Sequence, residues 1–333
     1  MSTSSLSTSS MSTSSAPSAA PGPAGGALPS VPQVSIGSWA FAFGPYEADP
    51  WPFERVCDYA ARSGYDGVEV NGFRPHPHYD DFAGGKGTQE LKAQITGNGL
   101  GISAYAPNFH HVPPARVATQ DYVAEIDKAR RFCESLEIGR LRVDTVMPPQ
   151  EMSPQEYEDC FAQLRASWAQ ASERCARSGV TLVWEFEPGF WLNRPSEVER
   201  LAGEVGQANF GILFDSSHAH TGAVCGARQG SSPELVPSVA AYATRLLPYI
   251  RHLHLADSDG RLHDEDTSVH TPLGQGQVDF AALLAALSPI ADRLDWWCVD
   301  LCYCDGADAK AAQSLDVVRS WGPARSPGKV VPM

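Results

Sequence analysis

The chain has 333 residues, with 39 Asp or Glu against 25 Lys or Arg, and a formal net charge of −14 at pH 7. This acidic balance argues against binding to a nucleic-acid backbone, because proteins that do so usually carry a basic patch. The sequence also lacks the ~20 consecutive apolar residues of a membrane span, so we expect neither nucleic acid nor a membrane as a partner.

The first 30 residues are rich in Ser, Thr, Ala, Pro and Gly and contain no charged residue. This composition predicts a disordered extension and lacks the basic start and apolar core of a secretory signal. The eight cysteines form no CxxC pair, which is typical of packing thiols in a reducing compartment. We therefore expect a cytoplasmic protein with a disordered tail over 1–30 and one folded domain over 31–325.

From residue 34 onward, short apolar runs alternate with amphipathic segments at helical spacing, as in βα units around a parallel sheet. Eight units can be counted, which predicts an α/β fold of the (β/α)8 TIM-barrel type without a second domain. The predicted strands are 34–39, 67–70, 102–106, 140–145, 180–188, 210–215, 250–255 and 296–301. The predicted helices are 51–64, 88–98, 119–136, 153–178, 195–205, 233–247, 279–287 and 307–321.

Side chains that can bind a metal lie at or near the ends of four successive predicted strands, the fifth to the eighth. Glu185 and Glu187 are two residues apart, so both point to one face of the fifth strand. An unpaired carboxylate in an apolar interior is costly, and metal coordination would offset that cost. Asp215, His254 and Asp300 follow on the next three strands. We expect all of them at one site, at the end of the barrel where the strands terminate.

Four motifs, in this order, resemble the xylose isomerase-like TIM-barrel superfamily, and within it the sugar isomerase and epimerase branch. They are Glu187-Pro188, Asp215-Ser-Ser-His218, His254-Leu-Ala-Asp257 and Leu273-Gly-Gln-Gly-Gln-Val-Asp-Phe280. The resemblance extends over about 34–321. It implies one divalent metal ion. A set of three carboxylates and one imidazole suits Mn²⁺, Mg²⁺ or Co²⁺ better than Zn²⁺.

The resemblance also implies which residues bind the metal. The corresponding positions are Glu187, Asp215, His254 and Asp300. Asp300 is a departure, because the family usually has Glu there, and that Glu often acts as an acid or base. Two alternatives stay open: Glu185 replaces Glu187 as ligand, or His270 supplies the fourth ligand. A strand-terminal Asp such as Asp215 is also commonly a helix N-cap.

Further positions are candidates for contact with the substrate. His218 and Arg261 follow ligand strands and can donate hydrogen bonds to substrate oxygens. Glu69 ends the second strand, where a salt bridge inside the barrel is an equal alternative. His110 and several aromatic residues would line the open end, where rings suit the C–H face of a sugar or a flat aglycone. These aromatic residues are Trp39, Phe41, Phe43, Tyr105, Phe190 and Trp191.

The implied activity is that of a metal-dependent isomerase or epimerase of a sugar, keto-sugar or cyclitol. Glu187 or Glu185 would remove a proton next to a metal-bound carbonyl, and Asp300 would return it. A lyase of the inosose or dehydroshikimate dehydratase type, or one acting on an oxidised glycoside, is the alternative. The partner would be a small carbohydrate-like molecule, and assembly into a homo-oligomer stays open.

Two other classes of function remain. The superfamily includes metal-dependent apurinic endonucleases, but their three-metal cluster needs more histidine ligands than the partial match at His270. A non-catalytic binding protein is the other, and it should bind no metal tightly.

Overall fold

The computed structural model describes residues 32–322. Eight parallel strands close into a barrel in which each strand pairs with its neighbours in sequence and the last pairs with the first. The α/β barrel predicted from the sequence is confirmed. The predicted tail over 1–30 lies outside the described residues, as do residues 31 and 323–325 of the predicted domain. The strands are β1 (Gln33–Gly37), β2 (Gly67–Gly72), β3 (Gly101–Pro107), β4 (Arg140–Val143), β5 (Thr181–Glu185), β6 (Phe210–Asp215), β7 (Ile250–Leu255) and β8 (Trp296–Val299).

One long helix follows each strand, and the predicted helices agree with the observed ones to within a few residues, apart from the sixth. Local signals explain several helix ends. Gly64 ends the first helix in a left-handed conformation, and the Ser153 side chain caps the fourth. The helices are α1 (Phe53–Ser63), α2 (Thr88–Gly97), α3 (Thr119–Leu136), α4 (Pro154–Ala176), α5 (Pro195–Glu204), α6 (Val239–Leu246), α7 (Phe280–Leu287) and α8 (Ala307–Ser320).

The connections after β6 and β7 differ from the prediction. The segment after β6 was predicted as a loop, but it forms a short helix, Ser216–His218, followed by a π-helical turn, Ala219–Val224. Helix α6 begins only at Val239, because the Ser238 side chain caps it there. The long connection after β7 contains a small hairpin, in which Leu262–His263 pairs with Thr267–Ser268.

Large apolar side chains fill the space between the barrel and its helices, and a tryptophan packs at the N-terminal end of the strands. A Cβ atom added to Gly67 would lie 2.5 Å from the Trp296 ring, and one on Gly101 would lie 2.8 Å from it. These two glycines therefore make room for Trp296 at the starts of β2 and β3. The other end of the barrel, where the strands terminate, holds the cavity described below. Among residues 32–322, no helix has both the length and the apolar character needed to cross a bilayer.

Candidate metal and substrate site

The ends of β5, β6 and β7 and the residue after β8 bring four side chains together. Their ligand-type atoms all lie within 4.8 Å of one another, and all four residues are buried. In the register of the barrel, Asp215 on β6 is level with His254 on β7. We call these residues the ligand group: Glu185, Asp215, His254 and Asp300.

Three atoms of the ligand group are buried and form no hydrogen bond with any described residue: Glu185 Oε1, Asp215 Oδ2 and His254 Nδ1. The His254 Nδ1 atom lies 2.8 Å from Glu185 Oε1 and 3.4 Å from Asp300 Oδ2. The His254–Glu185 contact is an ion pair and not a hydrogen bond, whereas Asp215 Oδ2 has neither kind of partner, although buried polar atoms normally have one. Carboxylate oxygens and an imidazole nitrogen that converge in this way fit a divalent cation.

Asp300 is held in place by three donors at one of its oxygens. Asp300 Oδ1 is 2.8 Å from Trp39 Nε1, 2.8 Å from the Cys302 backbone N and 2.8 Å from His270 Nδ1. These contacts leave Asp300 Oδ2 directed towards His254 Nδ1. The shorter side chain at this position is therefore fixed with its other oxygen in the ligand group, in contact with His254.

Asp215 combines the two roles considered for it. Its Oδ1 accepts a hydrogen bond of 2.7 Å from the His218 backbone N–H and so caps the short helix that follows β6. Its Oδ2 is one of the unpartnered atoms of the ligand group. Burial, together with the negative charges of Asp300 and Glu185, raises the pKa of Asp215 to about 7.

Glu69 lies beneath the ligand group, completely buried between two histidines. Its Oε1 is 3.0 Å from His254 Nε2, and its Oε2 is 2.7 Å from His252 Nε2. Burial opposes ionisation of Glu69, but His254 and His252 outweigh it and lower the pKa of the carboxyl. By binding Nε2, Glu69 orients His254 so that Nδ1 faces the ligand group. It lies outside the lining of the cavity, which differs from its expected role in substrate contact.

The geometry gathers Glu185 into the ligand group, whereas Glu187 was preferred from the sequence. Strand β5 ends at Glu185, so Glu187 lies one step further towards solvent on the same face. Both Glu187 oxygens have donors: Arg142 Nη2 is 3.4 Å from Oε1, and the Thr267 hydroxyl donates to Oε2. Burial, and the charges of Glu185 and Asp144, raise the pKa of Glu187 to about 8 although Arg142 opposes the shift.

Arg142 neutralises part of the negative charge at the bottom of the cavity, which we call the acidic floor: Asp144, Glu185 and Glu187. Its guanidinium donates to Glu185 Oε2 and lies 3.3 Å from Asp144 Oδ2 as well as contacting Glu187. Burial opposes ionisation of Glu185, but Arg142 and His254 outweigh it and lower the pKa of Glu185 to about 2. Glu185 is thus held as a carboxylate.

A cavity of about 310 Å³ opens above the ligand group. Three of the substrate-contact candidates line it: Trp39, His110 and His218. Arg261 is not among the lining residues; its side chain is 71% exposed and binds Asp259.

The aromatic candidates divide between the cavity and the core. Phe43 and Phe190 line the cavity. Phe41 and Tyr105 are fully buried in the core, and Trp191 packs edge-on against Tyr157, outside the cavity lining. Lining residues that the sequence reasoning did not select as substrate contacts include Asn71, Phe73, Asp144, Thr267, Ser268 and Tyr303. Phe73 and Asp144 follow the ends of β2 and β4, and that position could have identified them.

His218 and His270 form a second polar group beside the first. Together with Asp215 they offer ligand-type atoms within 4.8 Å of one another. His218 Nδ1 is 2.5 Å from the Ser268 hydroxyl. Burial and the neighbouring His270 lower the pKa of His218 to about 3. Burial opposes charging of His270, but Asp300 and Asp215 outweigh it and raise its pKa to about 9.

Asp257, at the end of the His254-Leu-Ala-Asp257 motif, has a structural role. Its carboxylate accepts hydrogen bonds from four backbone N–H groups, those of Ser258, Gly274, Gly276 and Val278. These bonds tie the glycine-rich loop to the end of β7. The motif that ends at Asp257 and the motif 273–280 are therefore joined to each other by these hydrogen bonds.

Comparison with known proteins gives a consistent result. A sequence model of the family described as xylose isomerase-like TIM barrel matches residues 57–321. Fructoselysine 3-epimerase of Escherichia coli O157:H7 is 22% identical over 242 residues, which is 70% of this chain and 80% of the relative.

Two solved structures show the same fold. D-Psicose 3-epimerase from Clostridium cellulolyticum H10, solved with D-tagatose, is similar with a TM-score of 0.64 at 14% identity, covering 86% of this chain and 98% of that one. The IOLI protein, solved with a zinc atom, is similar with a TM-score of 0.64 at 17% identity, covering 87% and 99%. At these identities the likeness speaks for the fold alone.

Proposed function

Because this chain belongs to the xylose isomerase-like TIM barrel family, we propose that it is a metal-dependent isomerase or epimerase of a sugar, keto-sugar or cyclitol. The observation that carries the proposal is the convergence of ligand-type atoms from Glu185, Asp215, His254 and Asp300 beneath the cavity, with Asp215 Oδ2 left without a hydrogen bond or an ion pair among the described residues. The names of its relatives support it, since fructoselysine 3-epimerase and D-psicose 3-epimerase are both sugar epimerases.

The ligand group would hold one divalent cation. When bound, such an ion polarises a substrate carbonyl and makes the neighbouring C–H more acidic. Three carboxylates with one imidazole favour Mn²⁺, Mg²⁺ or Co²⁺ over Zn²⁺. The zinc atom in the IOLI structure is a reason to include Zn²⁺ among the ions tested.

Glu187 is the residue we propose as the base. It lines the cavity directly above Glu185 on the same strand face, and Thr267 and Arg142 hold both of its oxygens in position. In its ionised form, a carboxyl group placed in this way can accept a proton from a substrate carbon and hand it to a neighbouring atom. Of the residues proposed from the sequence, Glu185 and Asp300 are then left to metal binding.

The return of the proton to the opposite face of the substrate needs another group. Asp300 Oδ1 already accepts from three donors, and Oδ2 faces the ligand group. We therefore propose that His270, which lines the cavity and whose Nε2 forms no hydrogen bond with any described residue, supplies the second acid in an epimerisation.

The test is hydrogen isotope exchange. Metal-loaded protein is incubated in D₂O with fructoselysine, D-fructose, D-psicose, D-tagatose, inosose and a 4-nitrophenyl 3-keto-glucoside, and the products are followed by NMR. We expect deuterium at the carbon next to the carbonyl of at least one compound. Failure of every compound to exchange or react would contradict proton transfer at this site.

One observation favours a lyase as the second candidate. An elimination needs a base but no carboxylate on the opposite face, and Asp300 is occupied as described. Loss of a β-leaving group would produce a conjugated enone. Growth of enone absorbance during turnover would assign the lyase, and its absence alongside deuterium incorporation would assign the isomerase or epimerase.

A further inference from the structure

Five connections each contribute one ring to the open end of the cavity, after β8, β1, β2, β3 and β5. The rings form a continuous chain of contacts. Centroid distances are 6.2 Å for Tyr303 and Phe43, 5.3 Å for Phe43 and Phe73, 5.6 Å for Phe73 and His110, and 6.3 Å for His110 and Phe190. All five residues line the cavity. We call them the aromatic collar.

Most of the collar lies outside the hydrophobic core, although Phe43 packs against the small buried cluster of Trp39, Ala106 and Cys298. Phe73, Phe190 and Tyr303 are half-buried, and none of the three belongs to or packs against either hydrophobic cluster formed by residues 32–322. Their contacts within the collar are mostly edge to face. When a ligand covers exposed apolar surface of this kind, its removal from water lowers the free energy of the complex. The collar is therefore suited to a flat apolar group.

The charges around the cavity select against a phosphorylated ligand. Among the described residues that line it, Arg142 is the one Lys or Arg, and its guanidinium already contacts Glu185, Glu187 and Asp144. Phosphate recognition normally needs a free Arg, Lys or helix N-terminus. Six carboxylates line the same cavity, so a single divalent cation would leave the charge negative: Glu47, Asp144, Glu185, Glu187, Asp266 and Asp300.

We propose that the substrate is an unphosphorylated sugar derivative that carries an aromatic group. The aromatic group lies within the collar, and the polyhydroxylated end reaches down to the ligand group. The placement of the sugar end at the ligand group rests on the proposed function, in which the metal ion bound there polarises the substrate carbonyl. The affinity for an aromatic group rests on the collar alone.

Binding of matched glycosides tests this proposal. Metal-loaded full-length protein is titrated by calorimetry with the 4-nitrophenyl and methyl glycosides of glucose, galactose and mannose, and with glucose 6-phosphate. We expect the 4-nitrophenyl member of at least one pair to bind about tenfold more tightly than its methyl partner, because its ring is removed from water. Equal affinities in every pair, no binding of any aryl glycoside, or tightest binding of the phosphate would overturn the proposal.

Variants locate the effect. Phe73→Leu and Tyr303→Leu should each reduce the aryl preference severalfold and leave the affinity for the methyl glycoside unchanged. Phe82→Leu is the matched control, since Phe82 is also half-buried but packs against Phe132 in the core, outside the cavity lining. Retention of the full preference in both collar variants, or its loss in the control, would contradict the assignment to the collar.

The outcome is distinguishable from failure of the proposed function because these titrations measure binding, not turnover. An aryl preference without deuterium exchange would leave the collar standing and remove the proton-transfer reaction. Exchange on unsubstituted ketohexoses without any aryl preference would support the proton-transfer reaction and contradict the role of the collar.

Discussion

Glu185 and Glu187 are two residues of one type on one strand face, and their partners give them different roles. Glu185 Oε1 is buried in the ligand group beside His254 and forms no hydrogen bond, whereas both oxygens of Glu187 accept one. An unsatisfied buried oxygen is the feature expected of a metal ligand, because the ion supplies the missing partner. Glu187 instead resembles a positioned base at the wall of the cavity.

This difference predicts opposite results for two matched variants. Glu185→Gln should lose tightly bound metal, because a neutral amide replaces an anionic ligand at a divalent cation. Glu187→Gln should keep its metal and lose isotope exchange by about 10²-fold or more, the range for a general base. Metal content by mass spectrometry and exchange by NMR check both variants. Full metal content in Glu185→Gln together with metal loss in Glu187→Gln would restore the assignment made from the sequence.

At the scale of elements, the loop after β7 depends on one carboxylate and one glycine. The four bonds that Asp257 accepts require the loop backbone to approach it closely. A Cβ atom at Gly276 would lie 2.6 Å from both Asp257 Cγ and the Ser258 N atom. Since that loop and the hairpin before it belong to the same connection as Thr267 and His270, its anchoring contributes to the shape of the site.

Gly276→Ala is therefore expected to lower the free energy of unfolding by about 1–3 kcal/mol, the usual cost of overpacking. Gly97→Ala is the control, because Gly97 is the last residue of α2 and a Cβ atom there would meet nothing within 4 Å. It should change stability by less than about 1 kcal/mol. Chemical denaturation of both variants measures the difference. Equal stability of Gly276→Ala and the wild type would show that the loop adapts without cost.

The elements show which parts of this fold are predictable from sequence. Strand β6 and helix α3 have the predicted bounds, because their apolar patterns and end signals agree. The start of α6 was placed six residues early: Pro233 resembles a first helical residue, but the cap is Ser238. The helix after Asp215 was missed because the residues that follow were interpreted as a glycine-rich loop, although the alternative role of Asp215 as an N-cap is the one that the structure shows.

The site residues also include some that the sequence could identify and some that it could not. A strand-terminal position identified Asp215, His254 and Asp300 as candidates, since barrel geometry places such ends together. The choice between Glu185 and Glu187 depends on how far β5 extends, which periodicity does not specify. Arg261 and Trp191 were selected by proximity in sequence to β7 and β5, and long connections turn such side chains away from the cavity.

At the scale of the whole molecule, the barrel brings an acidic floor, a ring of aromatic side chains and a group of metal-type ligands to one end. The net charge of −14 is reflected in the cavity, where six carboxylates face one arginine. A divalent cation reduces that excess, so metal binding and the electrostatics of the floor are linked. The proposed reaction depends on this ion, whereas the proposed affinity for an aromatic group rests on the collar alone.

The most direct measurement is therefore a calorimetric titration of chelator-treated protein with Mn²⁺. We expect binding close to one ion per chain, and loss of most of that affinity in Asp215→Asn, which removes one unpartnered ligand oxygen from the group. The Asp259→Asn variant, whose carboxylate pairs with the exposed Arg261, should titrate like the wild type. Absence of Mn²⁺ binding, or equal binding by the wild type and Asp215→Asn, would contradict the assignment of the ligand group.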